Sequence, residues 1–172
     1  MHQSRYALDM LNKFDMLHCN SANTLAEVSL KLEKDPGEEG VNLIEYREMV
    51  GSLRYICHTK PDLSSNVGVI SRFMQSPRIS HLNAAKHMLR YLKGTYTYGI
   101  FLPRGEPRTK VQITSYSDSD LCEDKGDRKS TVGYIFFLGG APISWNSTKE
   151  SVGALSSYEA EYIVVYEVRY VI

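Results

Sequence analysis

Apolar residues in the first half of the chain recur at steps of three and four. Ala7, Leu8, Leu11 and Phe14 share one side of a helix that the spacing predicts over residues 4–15. From residue 43 the same period returns, with Tyr46, Met49, Val50, Leu53, Ile56 and Cys57 on one stripe. Pro61 suits the first position of a new helix, where a missing N–H costs little, and Leu63, Val67, Ile70 and Met74 make its stripe. Ser76–Pro77 repeats that start signal. Leu82, Ala85, Met88, Leu89 and Leu92 follow, with Gly94 as the expected stop. These stripes read as a packed helical core. Between the first two helices, LEKDPGEEG (32–40) is acidic and carries Pro and Gly, which makes it the best candidate for a linker.

After Gly94 the period changes from helical to two. Tyr98, Ile100 and Leu102 alternate into the turn PRGEPRTK. Val111, Ile113 and Ser115 alternate with Gln112, Thr114 and Tyr116. VGYIFFL (132–138) is a strong strand pattern, Gly139–Gly140 a turn, and 142–147 a further strand. Ser156–Ser157 suits the cap of a last helix, with Glu159 in its first turn. Strands joined by short turns favour an antiparallel sheet with a helix packed on it. The expected fold class is α+β, with a helical segment over 1–94 and strands followed by one helix over 95–172.

Composition adds mainly exclusions. Lys plus Arg and Asp plus Glu both number 20, so net charge gives no argument for a nucleic-acid partner, though a local basic face remains open. No apolar run approaches the roughly 18 residues of a membrane helix. MHQSRYALDMLNKF lacks the apolar stretch of a signal peptide. Cys19, Cys57 and Cys122 are scattered and odd in number, so neither a disulfide framework nor a zinc knuckle is expected. His18–Cys19 and Cys57–His58 read as incidental helix residues rather than as a split zinc site. A reducing compartment follows, and the expected location is the cytoplasm, with the nucleus as the other intracellular site.

The chemistry gathers in YSDSDLCEDKGDRKSTVGYIFFLGG (116–140), where Asp118 and Asp120 end a strand and Glu123, Asp124 and Asp127 follow. Together with YREMVGSLRYICHTKPDLSSNVGVISRFMQSP (46–77), HLNAAKHMLRYLKGTYTYGI (81–100) and ALSSYEAEYI (154–163), this stretch resembles the Pol polyprotein of copia-type LTR retrotransposons. The resemblance covers nearly the whole chain. YLKGT, YSDSD, DRKSTVGY and SSYEAEY in that order make it specific. It implies a reverse transcriptase thumb or connection segment over 1–94, and over 95–172 an incomplete RNase H-like domain of three antiparallel strands and one helix. The chain holds no Asp-Asp doublet, so the polymerase palm motif of that family is missing.

The implied activity of the parent is reverse transcription with removal of RNA from RNA–DNA hybrids. RNase H chemistry uses two divalent cations about 4 Å apart, which activate water and stabilise the leaving oxygen. Mg²⁺, or Mn²⁺ in its place, is the implied cofactor, and such hard ions take oxygen ligands. Of the family's four acids, the resemblance matches the first to Asp118 and the second to Glu161. The third and fourth would lie past Ile172. That implies weak or absent metal binding and a chain inactive alone. Asp120, Glu123, Asp124 and Asp127 read as a solvated turn rather than as ligands. Glu159, two residues from Glu161, reads as a helix-start charge. Arg128, Lys129 and Ser130 form a turn that is the candidate nucleic-acid contact. Trp145 and the aromatics of 134–137 read as core. Leu121, Cys122–Glu123 and Tyr158 depart from the family's usual residues.

Three partner expectations follow. An RNA–DNA hybrid would bind weakly, other Pol segments would supply the missing acids, and residues 111–118 would offer an open strand edge for self-association. Two alternatives stand beside the enzyme-derived reading: a non-catalytic hybrid-binding remnant, and a translated pseudogene with no selected role.

Overall fold

The computed structural model of the chain describes residues 1–26, 32–33, 37–103, 112–120, 130–150 and 156–168. The chain divides into two compact units, Met1–Ile100 and Phe101–Ile172. Among the described residues it is α+β, with five α-helices and one three-stranded antiparallel sheet.

The first unit is helical: α1 (Ser4–Lys13), α2 (Leu43–Ile56), a 3₁₀ turn (Pro61–Leu63) running into α3 (Ser64–Ser71), and α4 (Ile79–Thr95). The stripes meet in one core, where Leu11, Tyr46, Met49, Leu53, Ile70 and Leu89 are fully buried. On α1 the inner face is Ala7, Met10 and Leu11, with Phe14 partly buried against them, while Leu8 is exposed. That set keeps helical phase, and Leu8 lies about a quarter turn away. Tyr46 is buried as a neutral donor. Burial raises its pKa, and its hydroxyl donates to the Ile70 carbonyl at 2.8 Å. Asn42 caps α2, its Oδ1 accepting from the N–H of Ile44 and of Glu45.

The acidic loop is not a linker between units. Its described residues pack within the first unit and serve α4. The Glu38 carboxylate accepts from the Ser80 N–H at 2.6 Å and from the Ser80 hydroxyl at 2.7 Å, at the positive end of the helix. Gly40 bridges Arg78, and the Arg78 guanidinium donates to the Glu38 carbonyl. His81, fully buried and stacked on Phe73, completes the cap. Its Nδ1 accepts from the Arg78 N–H at 2.9 Å, so its Nε2 carries the proton, 3.1 Å from the Glu33 carbonyl. The helix therefore begins two residues after Ser76–Pro77, where these partners are.

Gly94 does not stop α4, which runs to Thr95. A Cβ at Gly94 would stand 3.3 Å from the Ser21 side chain, so the glycine permits a close approach instead. The helix C-terminus is held by the buried Lys60, whose ammonium donates to the Thr95 carbonyl at 2.6 Å. Burial lowers the Lys60 pKa, opposed by nearby Asp62. The alternation at Tyr98, Ile100 and Leu102 does not make a strand. Ile100 is buried and its N–H donates to the Met1 carbonyl at 2.8 Å, while Tyr98 and Leu102 are exposed. A Cβ at Gly99 would collide with the Met1 carbonyl oxygen, which explains the glycine there.

The second unit holds β1 (Ile113–Asp120), β2 (Thr131–Leu138), β3 (Ala141–Lys149) and α5 (Ser157–Val168). The sheet order is β1-β2-β3, all antiparallel. Gly139 and Gly140 make the β2–β3 turn, with φ of 56° and 84°. Positive φ at both central residues matches the right-handed twist of the flanking strands. Val132 and Phe136, four residues apart on one face of β2, are buried. The Ser156 hydroxyl caps α5 by accepting from the Glu159 N–H at 3.2 Å, and α5 packs over β1 more than over β2.

Candidate metal and nucleic-acid site

Asp118 lies in the second half of β1, in register with Gly133 of β2, which in turn faces Ser147 of β3. Directly opposed residues share a sheet face, so the three form one row. Asp118 is exposed. Its Oδ1 accepts from the N–H of Ser119 at 3.0 Å. Among the described residues nothing stands within 4 Å of where a Cβ at Gly133 would be. A β-branched residue there would take up space beside Asp118 on its own face. Sequence reasoning passed over Gly133. A glycine inside a strand pattern is the signal that could have found it.

Glu161 is exposed in the second turn of α5, the helix that packs on β1. The fold thus carries both predicted acids on elements in contact within one unit. Among the described residues no group of three or more His, Cys, Asp or Glu side chains is placed to hold a metal. Asp120 is opposite Thr131 at the end of β1. Glu123, Asp124 and Asp127, with Arg128 and Lys129, lie outside the described residues. Ser130 is fully buried, and its hydroxyl has no hydrogen-bond partner among the described residues. Its carbonyl accepts from the Glu150 N–H at 2.9 Å, closing the β2–β3 ladder at the end nearest Asp118. Glu159 is exposed in the first turn of α5.

Carboxylate oxygens are the right donors for Mg²⁺ or Mn²⁺. Asp118 stands on a hydrogen-bonded strand, across from Gly133. Two carboxylates are fewer than two cations and a phosphate need. Elsewhere, Cys57 is half-buried, and burial, with Asp62 adding to it, pushes its thiol up to about 12. Trp145 is half-buried on β3, and Phe136 is buried. No helix among the described residues is long and apolar enough to cross a membrane.

Comparison with known proteins gives a consistent set. The chain is 43% identical over 162 residues to the retrovirus-related Pol polyprotein from transposon RE1 of Arabidopsis thaliana, a match that covers 94% of this chain and 11% of that protein. It is 37% identical over 175 residues to the corresponding Pol polyprotein from transposon TNT 1-94 of Nicotiana tabacum, covering 97% of this chain and 13% of that protein. A shorter relative, Secreted RxLR effector protein 161 of Plasmopara viticola, is 41% identical over 125 residues, or 72% of this chain and 86% of that protein. The chain thus spans about a tenth of the length of the Pol polyproteins it matches. No family model matches the chain. No solved structure matches it.

Proposed function

The chain belongs to the Pol family of copia-type retrotransposons, and on that premise we propose that Phe101–Ile172 carries the first part of a ribonuclease H-like site acting on RNA–DNA hybrids. In this reading Asp118 and Glu161 are the acids this chain contributes. The observation that supports it is the placement of Asp118: an exposed carboxylate on β1, beside the gap at Gly133, with the helix that bears Glu161 packed on the same strand. A divalent cation bound there would activate water and stabilise the leaving oxygen of a phosphodiester. The chain's own part is positional. The β1–β2 ladder sets where Asp118 sits, and the Ser119 N–H fixes one of its oxygens. Arg128 and Lys129 are the proposed phosphate contacts, and Ser130, next along the chain, is tied through its carbonyl to the Glu150 N–H. The helical first unit is the segment that joins polymerase to nuclease in such polyproteins.

Two carboxylates do not hold two cations and a scissile phosphate, so remaining ligands come from other Pol segments. The test incubates the chain with a labelled RNA–DNA hybrid in Mg²⁺ and in Mn²⁺, beside Asp118→Asn. The expected result is Mn²⁺ binding that weakens in the variant, with cleavage at background. Cleavage that disappears in Asp118→Asn would mean that the full ligand set lies within this chain. Equal Mn²⁺ binding by both proteins would remove Asp118 from the site and overturn the reading.

A second reading is a module that works without the rest of Pol. It draws on the match to most of a much shorter protein, which has this stretch apart from a polyprotein. Salt-dependent hybrid binding that Asp118→Asn leaves intact would favour it.

A further inference from the structure

Within the first unit a groove of about 600 Å³ runs between α3 and α4. Asn66 and Val69 line it from α3, three residues apart and so on one face of that helix. Asn83 and Ala84 line it from α4. Each wall thus presents aliphatic surface and one carboxamide. Neither carboxamide makes a hydrogen bond among the described residues, and nor does the ammonium of Lys86, which also lines the groove. Aliphatic walls with a few unspent polar groups suit a ligand.

The charges of the groove are unbalanced along its length. Lys86 and Arg90 both line it, four residues apart on α4. Like charges at that spacing repel each other and weaken a helix. Arg90 spends its Nε on the Asn20 carbonyl at 2.9 Å, and neither cation forms an ion pair among the described residues. Glu38 is the one carboxylate among the described lining residues, and it is already held at the start of α4 by the Ser80 N–H and hydroxyl. An acid therefore stands at one end, and two uncompensated cations stand about two to three helical turns further along.

We propose that the α3–α4 groove binds a short extended peptide that carries an aliphatic side chain next to an acidic one. A carboxamide offers a donor and an acceptor in one plane. Each residue of an extended chain offers the same pair along one edge, so Asn66 and Asn83 bond the peptide main chain from the two walls. The aliphatic side chain lies over Val69 and Ala84. The acidic one goes to Lys86 and Arg90, away from Glu38, which sets the direction of the peptide. A nucleic-acid strand suits these walls less. Its bases stack on aromatic rings, the described lining residues include no Phe, Tyr or Trp, and Glu38 would repel its phosphates. The groove belongs to the first unit and needs no metal, so it stands or falls apart from Asp118 and Glu161.

The test is an NMR titration of the isotope-labelled full chain, read at the side-chain amides of Asn66 and Asn83. The probes are the capped peptide acetyl-Leu-Asp-Leu-Asp-amide, its counterpart with Lys in place of Asp, and a short oligoadenylate RNA. The expected result is a saturable shift of both side-chain amides with the acidic peptide and none with the basic one. Lys86→Glu is expected to bind the acidic peptide about tenfold more weakly. That variant replaces a like-charge pair on α4 by an attractive one, so its thermal midpoint should hold or rise, which separates lost binding from lost folding. Amides that stay silent with the acidic peptide, or that move equally with both peptides, would overturn the proposal. So would Lys86→Glu binding like the parent. Shifts with the RNA alone would assign the groove to nucleic acid instead.

Discussion

Single residues carry the sharpest expectations. His81 must stay neutral to hold α4, because its Nδ1 accepts from the Arg78 N–H. Burial lowers its pKa; the Glu33 carbonyl and Glu38 oppose that, and Arg78 adds to it. The sign follows. Above the ordinary imidazole value of about 6.5 both folded and unfolded chains are neutral and the residue adds no pH dependence. Below it the unfolded chain takes up a proton that the folded chain refuses, so stability falls until the lowered folded value is reached. Urea denaturation between about pH 7 and about pH 5 should show this loss, at most about 1.4 kcal/mol per pH unit, and His81→Gln should flatten it. Gly133 makes the opposite case. A Cβ there meets nothing within 4 Å among the described residues. Gly133→Val should keep the fold, or stabilise it by a few tenths of a kcal/mol, while filling the space beside Asp118. Weaker Mn²⁺ binding at unchanged thermal stability is the expected pair of readings. Unchanged binding would place the cation elsewhere.

At the scale of elements, ends are set by partners as much as by pattern. Helix α4 has no Ser, Thr, Asp or Asn at its start, and its first turn is capped from outside by the Glu38 carboxylate. Glu38→Ala should cost about 1 kcal/mol, in the range of a lost N-cap, read as a lower urea midpoint at constant slope. Glu38→Gln should recover only part of it, since a carboxamide offers one acceptor oxygen and less charge to the helix dipole. The stripes on α2, α3 and α4 were legible because burial follows helical phase. The cap was not, because Glu38 and Ser80 are 42 positions apart. Gly94 shows the same split. A glycine near a helix end suggests a stop, yet only the approach of Ser21 explains it.

The whole molecule is two units of unequal substance. Met1–Ile100 has a contiguous core of buried apolar side chains. In the second unit every described residue of β1 up to Asp118 is exposed, and only Val132, Phe136 and Ala141 are buried apolar residues among those described. A Met1–Ile100 fragment should fold alone and melt cooperatively by circular dichroism. A Phe101–Ile172 fragment should be much less stable. A second fragment that melts as cooperatively and at as high a temperature as the first would count against that. The sequence by itself determined the class of each half, the helical stripes, the Gly139–Gly140 hairpin and the Ser156 cap, because these depend on neighbours within a few positions. It also determined kinship with copia-type Pol through motifs shared in order. Tertiary structure decided what the described part of the acidic loop is for, why Gly94 and Gly99 are glycines, that residues 98–102 form no strand, and that Asp118 lies across from Gly133. Each of these depends on groups distant in sequence that meet only when the backbone closes, and hydrophobic periodicity carries no record of such meetings.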